Sequence, residues 1–313
     1  MKLKIIVLLL MFSILNLYAQ NTKKIAYLTA DINIPFWKTM AEGIKEEAKK
    51  YNYQIDIYGS KHNSKDELIN LAKILKSDYS ALITSPTNSS NAVTILRMAK
   101  TKNIPVVIAD IGTEAGEYVS YISSNNYKGA QEVGKALLNK LEGEKGSVGI
   151  ISIPQTRENG KQRTKGFLDA IKYSGINVIG IKQLKEWTYD ESYLFTKDFI
   201  KKHKDLKAIW VQTSNTAQGI LDAIKDENKE NDVLFFAFDA EPDFLKLIKD
   251  KKIIATGMQQ PFYIGQKALD TVHKHLNNIE VKRKIQLDIL LVSSSNIDQN
   301  MKKIKRNVFG MNE

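Results

Sequence analysis

Residues 25–51 read IAYLTADINIPFWKTMAEGIKEEAKKY, and this stretch decides the fold class. It opens with a short apolar run at 25–28, which is typical of a strand buried on both faces. Pro35 suits the first turn of a helix. Apolar residues then recur at spacings of four and three, the spacing of one helix face: Trp37, Ala41, Ile44, Ala48 and Tyr51. The stretch therefore predicts a buried strand followed by an amphipathic helix.

The same alternation continues along the chain. Further apolar runs lie at 81–84, 106–109, 148–151, 208–211 and 233–238. Between them are segments with helical spacing, such as Ile264, Ala268, Val272 and Leu276. Strands without polar alternation that alternate with helices predict parallel sheets covered by helices on both sides. The class is therefore α/β, and the elements form two successive units, at about 23–124 and 125–259.

One helix start carries a specific signal. Ser64-Lys65-Asp66-Glu67 has the form of a capping box, in which Ser64 and Glu67 each bond the other's backbone N–H. We expect it to open the helix that carries Leu68, Leu71, Ala72 and Leu75.

The amino end predicts export. A basic start, Met1-Lys2-Leu3-Lys4, precedes an apolar run at 5–17, and Ala19 ends the segment. This arrangement is typical of a secretory signal peptide cleaved near Ala19, and the run is short for a membrane-spanning helix. Cleavage removes two lysines and no acid, so the formal charge of +11 falls by two. The chain has no Cys, which excludes a lipid-anchored lipoprotein, disulfides and thiolate metal sites.

Functional residues are expected where the strands end, because ligands of open parallel sheets bind beyond the carboxyl ends of the strands. Each candidate follows a predicted strand or opens the next helix. The candidates for ligand binding are Phe36, Trp37, Asp110, Arg163, Trp187, Thr213, Asp239 and Gln259.

These side chains together suit a sugar. Two carboxylates accept hydrogen bonds from hydroxyls, Arg163 supplies a planar fork of donors, and Gln259 and Thr213 add neutral groups. Phe36, Trp37 and Trp187 offer flat faces to the C–H side of a sugar ring. Alternatives remain for single residues, since Trp37 could belong to the core and Asp239 could cap the helix that follows it.

At this point the chain resembles the type I periplasmic binding proteins, close to the ribose- and galactose-binding group. The resemblance covers the whole chain after the signal segment and rests on seven motifs in order. They are NIPFWKTMAEGIKEEAKKY, ITSPTN, NIPVVIAD, YISSNNYKGA, RTKGFLDAI, FAFDAEPD and IATGMQQPFYIG.

The resemblance implies two Rossmann-like lobes that close by a hinge on a ligand between them. Three chain crossings are expected near 124–125, 259–260 and 284–288. The expected first lobe comprises 20–124 and 260–285, and the second comprises 125–259 and 286–313. The family's ligand contacts, carried onto this sequence, fall on the eight candidates named above.

The chain departs from the ribose-type pattern at several polar positions. Ile34 stands where an Asn is expected, Ile111 replaces an Arg, and Thr213-Ser214 replaces Asn-Asp. The resemblance therefore implies a sugar or sugar-like ligand without fixing which one. Arg157 and Lys161 lie close enough in sequence to take the role of Arg163.

The resemblance implies a monomeric binding protein without a cofactor that delivers its ligand to an ABC-type membrane permease. A sensory component that docks on a histidine kinase or chemoreceptor shares the same fold and cleft. A glycosidase with paired carboxylates is disfavoured, because nothing in the sequence indicates a raised pKa on either one. His273 and His275 lie two apart on a helix and make a poor metal pair. The resemblance extends to sugar-responsive repressors, which share the fold and carry a helix-turn-helix at the amino end. Here the predicted signal peptide occupies that end, so nucleic-acid binding is not expected.

Overall fold

The computed structural model describes residues 22–311, so the predicted signal peptide lies outside the described residues. Among residues 22–311, no helix combines the length and apolar character needed to span a membrane.

The described chain alternates between strands and helices throughout. The strands are β1 (Lys24–Thr29), β2 (Gln54–Gly59), β3 (Ala81–Ser85), β4 (Val106–Ala109), β5 (Ser120–Ser124), β6 (Gly146–Ser152), β7 (Ile176–Gln183), β8 (Leu206–Val211), β9 (Leu234–Phe238), β10 (Ala255–Met258), β11 (Lys284–Leu287) and β12 (Leu290–Ser293). The α-helices are α1 (Pro35–Lys50), α2 (Ser64–Ile74), α3 (Ser89–Lys100), α4 (Asn126–Leu141), α5 (Glu158–Ile171), α6 (Tyr189–Lys202), α7 (Ala217–Asp226), α8 (Phe244–Lys249), α9 (Pro261–Leu276) and α10 (Ile297–Lys303), and a π-helix (Ile304–Val308) follows.

The strands form two separate six-stranded sheets. The first has the order β11-β5-β4-β3-β1-β2, and the second has the order β12-β10-β9-β8-β6-β7. All strand pairs of the first sheet are parallel. In the second sheet β12 runs antiparallel to β10, which the expectation of purely parallel sheets did not include. The α/β class and the two lobes are confirmed.

Helices cover both faces of each sheet, because each strand interior is apolar on both sides. In the first lobe, α1 and α9 pack on one face and α2 and α3 on the other. In the second lobe, α4 and α5 cover one face and α6, α7 and α8 cover the other. Each lobe thus has two hydrophobic cores with its sheet between them.

The chain passes between the lobes at one edge of each sheet. It leaves the first sheet after Ser124, leaves the second after Met258, and passes from β11 to β12 between Leu287 and Leu290. β11 keeps the chain in the first sheet through Leu287, two residues beyond the boundary expected after residue 285. The strands at these crossings, β5, β11, β10 and β12, lie at or next to the same edge, so this edge is the hinge side of the cleft.

The predicted capping box is wrong. Asn63 caps α2, and its side chain accepts hydrogen bonds from the backbone N–H groups of Lys65 and Asp66. Glu67 points into the protein, where it accepts from the backbone N–H and the hydroxyl of Thr87 at 2.8 and 2.9 Å. An Asn one residue earlier is an equally good cap, which leaves Glu67 available for this buried role.

Candidate functional site

Loops from the two lobes meet beyond the carboxyl ends of their strands. The loops after β2, β3 and β4 of the first lobe contact the loops after β6 and β7 of the second. The space between the lobes is where the topology places a ligand site.

Asp110 is the central acidic group of the first lobe. It follows β4, is buried, and has a φ of +70°, a conformation uncommon for residues with a side chain. Its carboxylate accepts a hydrogen bond from Trp37 Nε1 at 3.3 Å and one from Asn159 Nδ2 of the second lobe at 3.4 Å. Burial raises the pKa of Asp110 to about 6, against the lowering effect of the Arg163 charge. Nothing in the sequence indicated this raised pKa.

Trp37 serves both the core and the cleft. Its ring packs in the first lobe's core with Met40 and Ile44, while its indole N–H faces Asp110. The core alternative is therefore correct for its ring, and contact of Trp37 with a ligand stays a prediction.

Asp239 is the corresponding acidic group of the second lobe. It follows β9 with a φ of +67°. Its carboxylate accepts from Gln259 Nε2 at 2.7 Å and from Arg163 at 3.4 Å. It does not cap α8, whose N-cap residue is Asp243. Burial raises the pKa of Asp239, and the Arg163 charge opposes this rise.

Arg163 is fixed from three sides. Its Nε donates to Asn126 Oδ1 at 2.8 Å, and one terminal nitrogen donates to the carbonyl of Gln212 at 2.6 Å and to Asp239. Its guanidinium also lies 4.1 Å from the centre of the Phe238 ring. Of the alternatives to Arg163, Lys161 is exposed, whereas Arg157 is buried at the contact between the lobes.

A small cavity lies on the hinge side of the cleft. Its volume is about 110 Å³, and Phe36 of the first lobe faces Asp239 and Gln259 of the second across it. Glu241 also lines this cavity and accepts from Ser214 Oγ at 3.0 Å. Burial raises the pKa of Glu241 to about 7.

The remaining predicted residues occupy the second lobe's rim. Thr213 is buried and its hydroxyl bonds Asn215 Oδ1 at 2.8 Å, so it belongs to a short polar network and not to an open wall. Trp187 follows β7 with a φ of +60°, and the Glu191 carboxylate holds its loop by accepting from three successive backbone N–H groups, one of them Trp187's. The Trp187 ring stacks on His62 of the first lobe, with ring centres 5.4 Å apart.

The departures from the ribose-type pattern pack into the first lobe. Ile111 is fully buried in its core, and Ile34 packs against the same core. Two positions that carry polar groups in the ribose pattern therefore contribute apolar packing here.

Several cleft residues were not predicted from the sequence. Asn126 lies in the family motif YISSNNYKGA, and Asn159 lies four residues before Arg163. Each is an amide in the first turn of a helix, α4 or α5, and that position was a signal for a cleft residue. His62 follows β2, an edge strand that the apolar-run criterion overlooked because Ile55 and Ile57 alternate with polar residues.

A sequence profile described as the periplasmic binding protein domain matches residues 25–280. The chain belongs to the periplasmic binding protein family. A ribose import binding protein of Escherichia coli is 31% identical over 281 residues, covering 88% of this chain and 92% of that protein. A D-apiose import binding protein of Paraburkholderia graminis is 28% identical and covers 82% of each chain.

Solved structures of similar proteins share the fold of this periplasmic binding protein. A carbohydrate transporter solute-binding protein from Agrobacterium radiobacter, in complex with D-arabinose, aligns with a TM-score of 0.85 at 19% identity, covering 93% of this chain and all of that one. A solute-binding protein of a Bacillus halodurans ABC transporter, with bound myo-inositol, gives a TM-score of 0.84 at 19% identity, covering 91% and 99%. The relatives are named as binding proteins, not as enzymes.

Proposed function

We propose that this chain is a periplasmic solute-binding protein that encloses a sugar or sugar-like molecule between its lobes and delivers it to an ABC-type membrane transporter. The names of its relatives support import of a sugar, and the signal-like segment ending at Ala19 supports export of the chain to the periplasm.

One observation carries the proposal. Asp110 and Asp239 project from opposite lobes into one buried region: burial raises the pKa of both, the charge of Asp239 adds to the rise at Asp110, and the charge of Arg163 opposes the rise at both. A ligand that bonds both carboxylates joins the two lobes, which is what a closing binding protein requires.

The hydrogen-bonding groups favour a ligand rich in donors. Asp110, Asp239 and Gln259 present acceptors, and the buried Gln259 Oε1 receives no hydrogen bond from any described residue. The Asp110 bonds are long, at 3.3 and 3.4 Å, so this carboxylate can take stronger ones. Hydroxyl groups supply donors at each of these acceptors, and the rings of Phe36 and Trp37 supply apolar walls.

A second candidate function rests on the pKa of Asp110. A carboxyl with a pKa of about 6 could act as a general acid toward a glycoside. Both oxygens of Asp110 face N–H donors, which favour the ionised carboxylate and therefore an acceptor role over proton donation. Release of free sugar from a panel of aryl glycosides by the purified chain would establish the enzymatic alternative.

A thermal-shift screen against pentoses, hexoses, deoxy sugars and polyols tests the proposal. A ligand at a hundred times its Kd stabilises the native state by about 2.7 kcal/mol, which corresponds to a rise in Tm of about 5 °C or more. The Asp239→Asn variant should show no rise with the same compound. If no member of the panel raises the Tm, the proposal of a sugar ligand is wrong.

A further inference from the structure

The mouth of the cleft, on the side opposite the hinge, is closed by protein side chains. β2 and β7 are the edge strands farthest from the chain crossings in their sheets, and the loops that follow them carry His62 and Trp187. These rings stack across the two lobes with an interplanar angle of 8°. When lobes open about a hinge, contacts at the mouth separate most and break first.

Arg157 is the centre of this contact. It precedes α5 in the second lobe, yet its Nε donates to the carbonyl of Thr87 at 2.9 Å, and a terminal nitrogen contacts His62 Nδ1 at 2.9 Å. Both partners belong to the first lobe. The guanidinium lies 5.6 Å from the centre of the Trp37 ring and 5.0 Å from that of Trp187, so one indole from each lobe borders it. Only 4% of Arg157 is exposed.

Contacts within the first lobe position Thr87 and His62, the two partners of Arg157. Glu67 is fully buried and fixes Thr87 through its backbone N–H and its hydroxyl. His62 sits in a turn where it and Lys61 both have positive φ, and its own N–H donates to the Ala30 carbonyl at 2.8 Å. Strained backbone of this kind persists where the surroundings enforce it. The hydrogen bonds that position Thr87 and His62 are thus made within the first lobe.

The residues beside Arg157 add to the same contact. The backbone N–H of Glu158 donates to Ser89 Oγ at 3.0 Å, and the backbone N–H of Ser89 lies 3.4 Å from the Thr156 carbonyl. Four hydrogen bonds thus join 156–158 to the first lobe, and none of them needs a ligand.

We propose that Arg157 is a positioning residue for ligand capture, which latches the two lobes together through His62 and Thr87 and favours the closed form before a ligand binds. Because a ligand's apparent Kd equals its intrinsic Kd divided by the closed fraction, the latch tightens binding of every ligand. This consequence rests on the proposed function, whereas the latch itself is testable without any ligand.

The experiment measures the distance between the lobes in the ligand-free protein. The chain has no Cys, so a Lys65→Cys/Lys185→Cys pair places spin labels only at two exposed sites beside the mouth, one on each lobe. Double electron–electron resonance should show a short, closed distance in the parent. Arg157→Ala and His62→Ala should each lower the closed-to-open ratio by about tenfold or more, equivalent to about 1.4 kcal/mol. Lys161→Ala, an exposed control one turn along α5, should leave the ratio unchanged.

The double variant separates a latch from a local packing role. If Arg157 and His62 act on each other across the cleft, the double variant opens by less than the sum of the two single effects, because the contact they share is lost only once. Should Arg157→Ala fail to fold by circular dichroism, Arg157→Lys keeps the charge but cannot reach both partners, and it should also open the lobes. Distances unchanged in these variants, or additive effects of the two single changes, would overturn the latch. Either result would leave the sugar-binding proposal intact.

Discussion

Three cleft residues adopt backbone conformations that side chains usually avoid. Asp110, Trp187 and Asp239 each follow a strand and each have a φ between +60° and +70°. Such conformations cost of order 1–3 kcal/mol and cluster at functional sites. In each case the turn directs the side chain into the cleft and away from the next helix. The sequence predicted only that these residues follow strands and did not predict the backbone conformation.

The Asp239 carboxylate is predicted to be essential for binding. In Asp239→Asn, the amide nitrogen faces the donor of either Gln259 or Arg163, which bond different carboxylate oxygens, and a charge-assisted bond to the ligand, of about 1.5–3 kcal/mol, is lost. We expect the affinity for a sugar identified by the screen to fall at least about tenfold in calorimetric titration. Asp243→Asn, an exposed carboxylate on the next helix, is the matched control and should bind normally. Equal affinity in Asp239→Asn would remove this residue from the site.

We predict that His62 makes lobe closure dependent on pH. Burial, and then the neighbouring Arg157 charge, lower the pKa of His62 to about 4, against the opposing effect of Asp31. In the open form we expect a pKa near the ordinary value of about 6.5. The closed form therefore binds fewer protons between these values and loses stability as the pH falls from about 6.5 toward 4.

Two acidic groups in the cleft have the opposite effect on the pH dependence of closure. Asp110 and Glu241 have raised pKa values of about 6 and about 7, so their burial is favoured as the pH falls. To isolate the effect of His62, the change in spin-label distance between pH 7 and pH 5 is measured in the parent and in His62→Gln, and the two changes are compared. The parent should open more than the variant on acidification, and identical profiles would refute a role for His62.

At the scale of elements, each lobe contains a helix pair that packs at backbone contact next to the hinge. A Cβ added at Gly265 of α9 would lie 2.1 Å from the Met40 carbonyl oxygen of α1, and one added at Gly166 of α5 would lie 2.1 Å from that of Tyr127. Glycine at these positions lets the helices approach more closely than any larger residue allows.

Gly265→Ala should therefore destabilise the protein even though alanine favours helices by up to about 1 kcal/mol. Overpacking of this kind costs about 1–3 kcal/mol, measurable as a lower midpoint of urea unfolding. Gly180→Ala is the control, since its added Cβ meets only the Phe199 ring edge at 3.4 Å. A Gly265→Ala variant as stable as the parent would show that α1 and α9 can separate without cost.

Periodicity predicted the elements that have one strong pattern. The stripes beginning at Trp37 and Ile264 correspond to α1 and α9, and the fully apolar runs correspond to strands at the centres of the sheets. The edge strands β2 and β11 were not predicted, because one face of each meets solvent or a loop. Apolar and polar residues alternate in β2, and Lys284 and Gln286 of β11 are exposed. The contacts of Arg157 with His62 and Thr87 could not be foreseen, since they join residues 70 and 95 positions apart across two lobes.

At the scale of the whole molecule, the lobes are joined by crossings at one edge and by side chains at the other. The carboxyl-terminal segment adds a further link at the hinge side: Ile304 and Val308 pack in the second lobe's core, while Arg306 pairs with Glu46 of α1. This arrangement permits rotation about the hinge edge while the mouth opens and closes. Under the proposed function, the ligand is held by groups that neither lobe presents alone.

A crystal structure of the chain with the sugar that most raises its Tm is the most direct test of this account. We predict one sugar between the lobes, with hydroxyl oxygens about 2.5–3.0 Å from the carboxylate oxygens of both Asp110 and Asp239. A sugar bound outside the cleft, or one that contacts neither carboxylate, would contradict it.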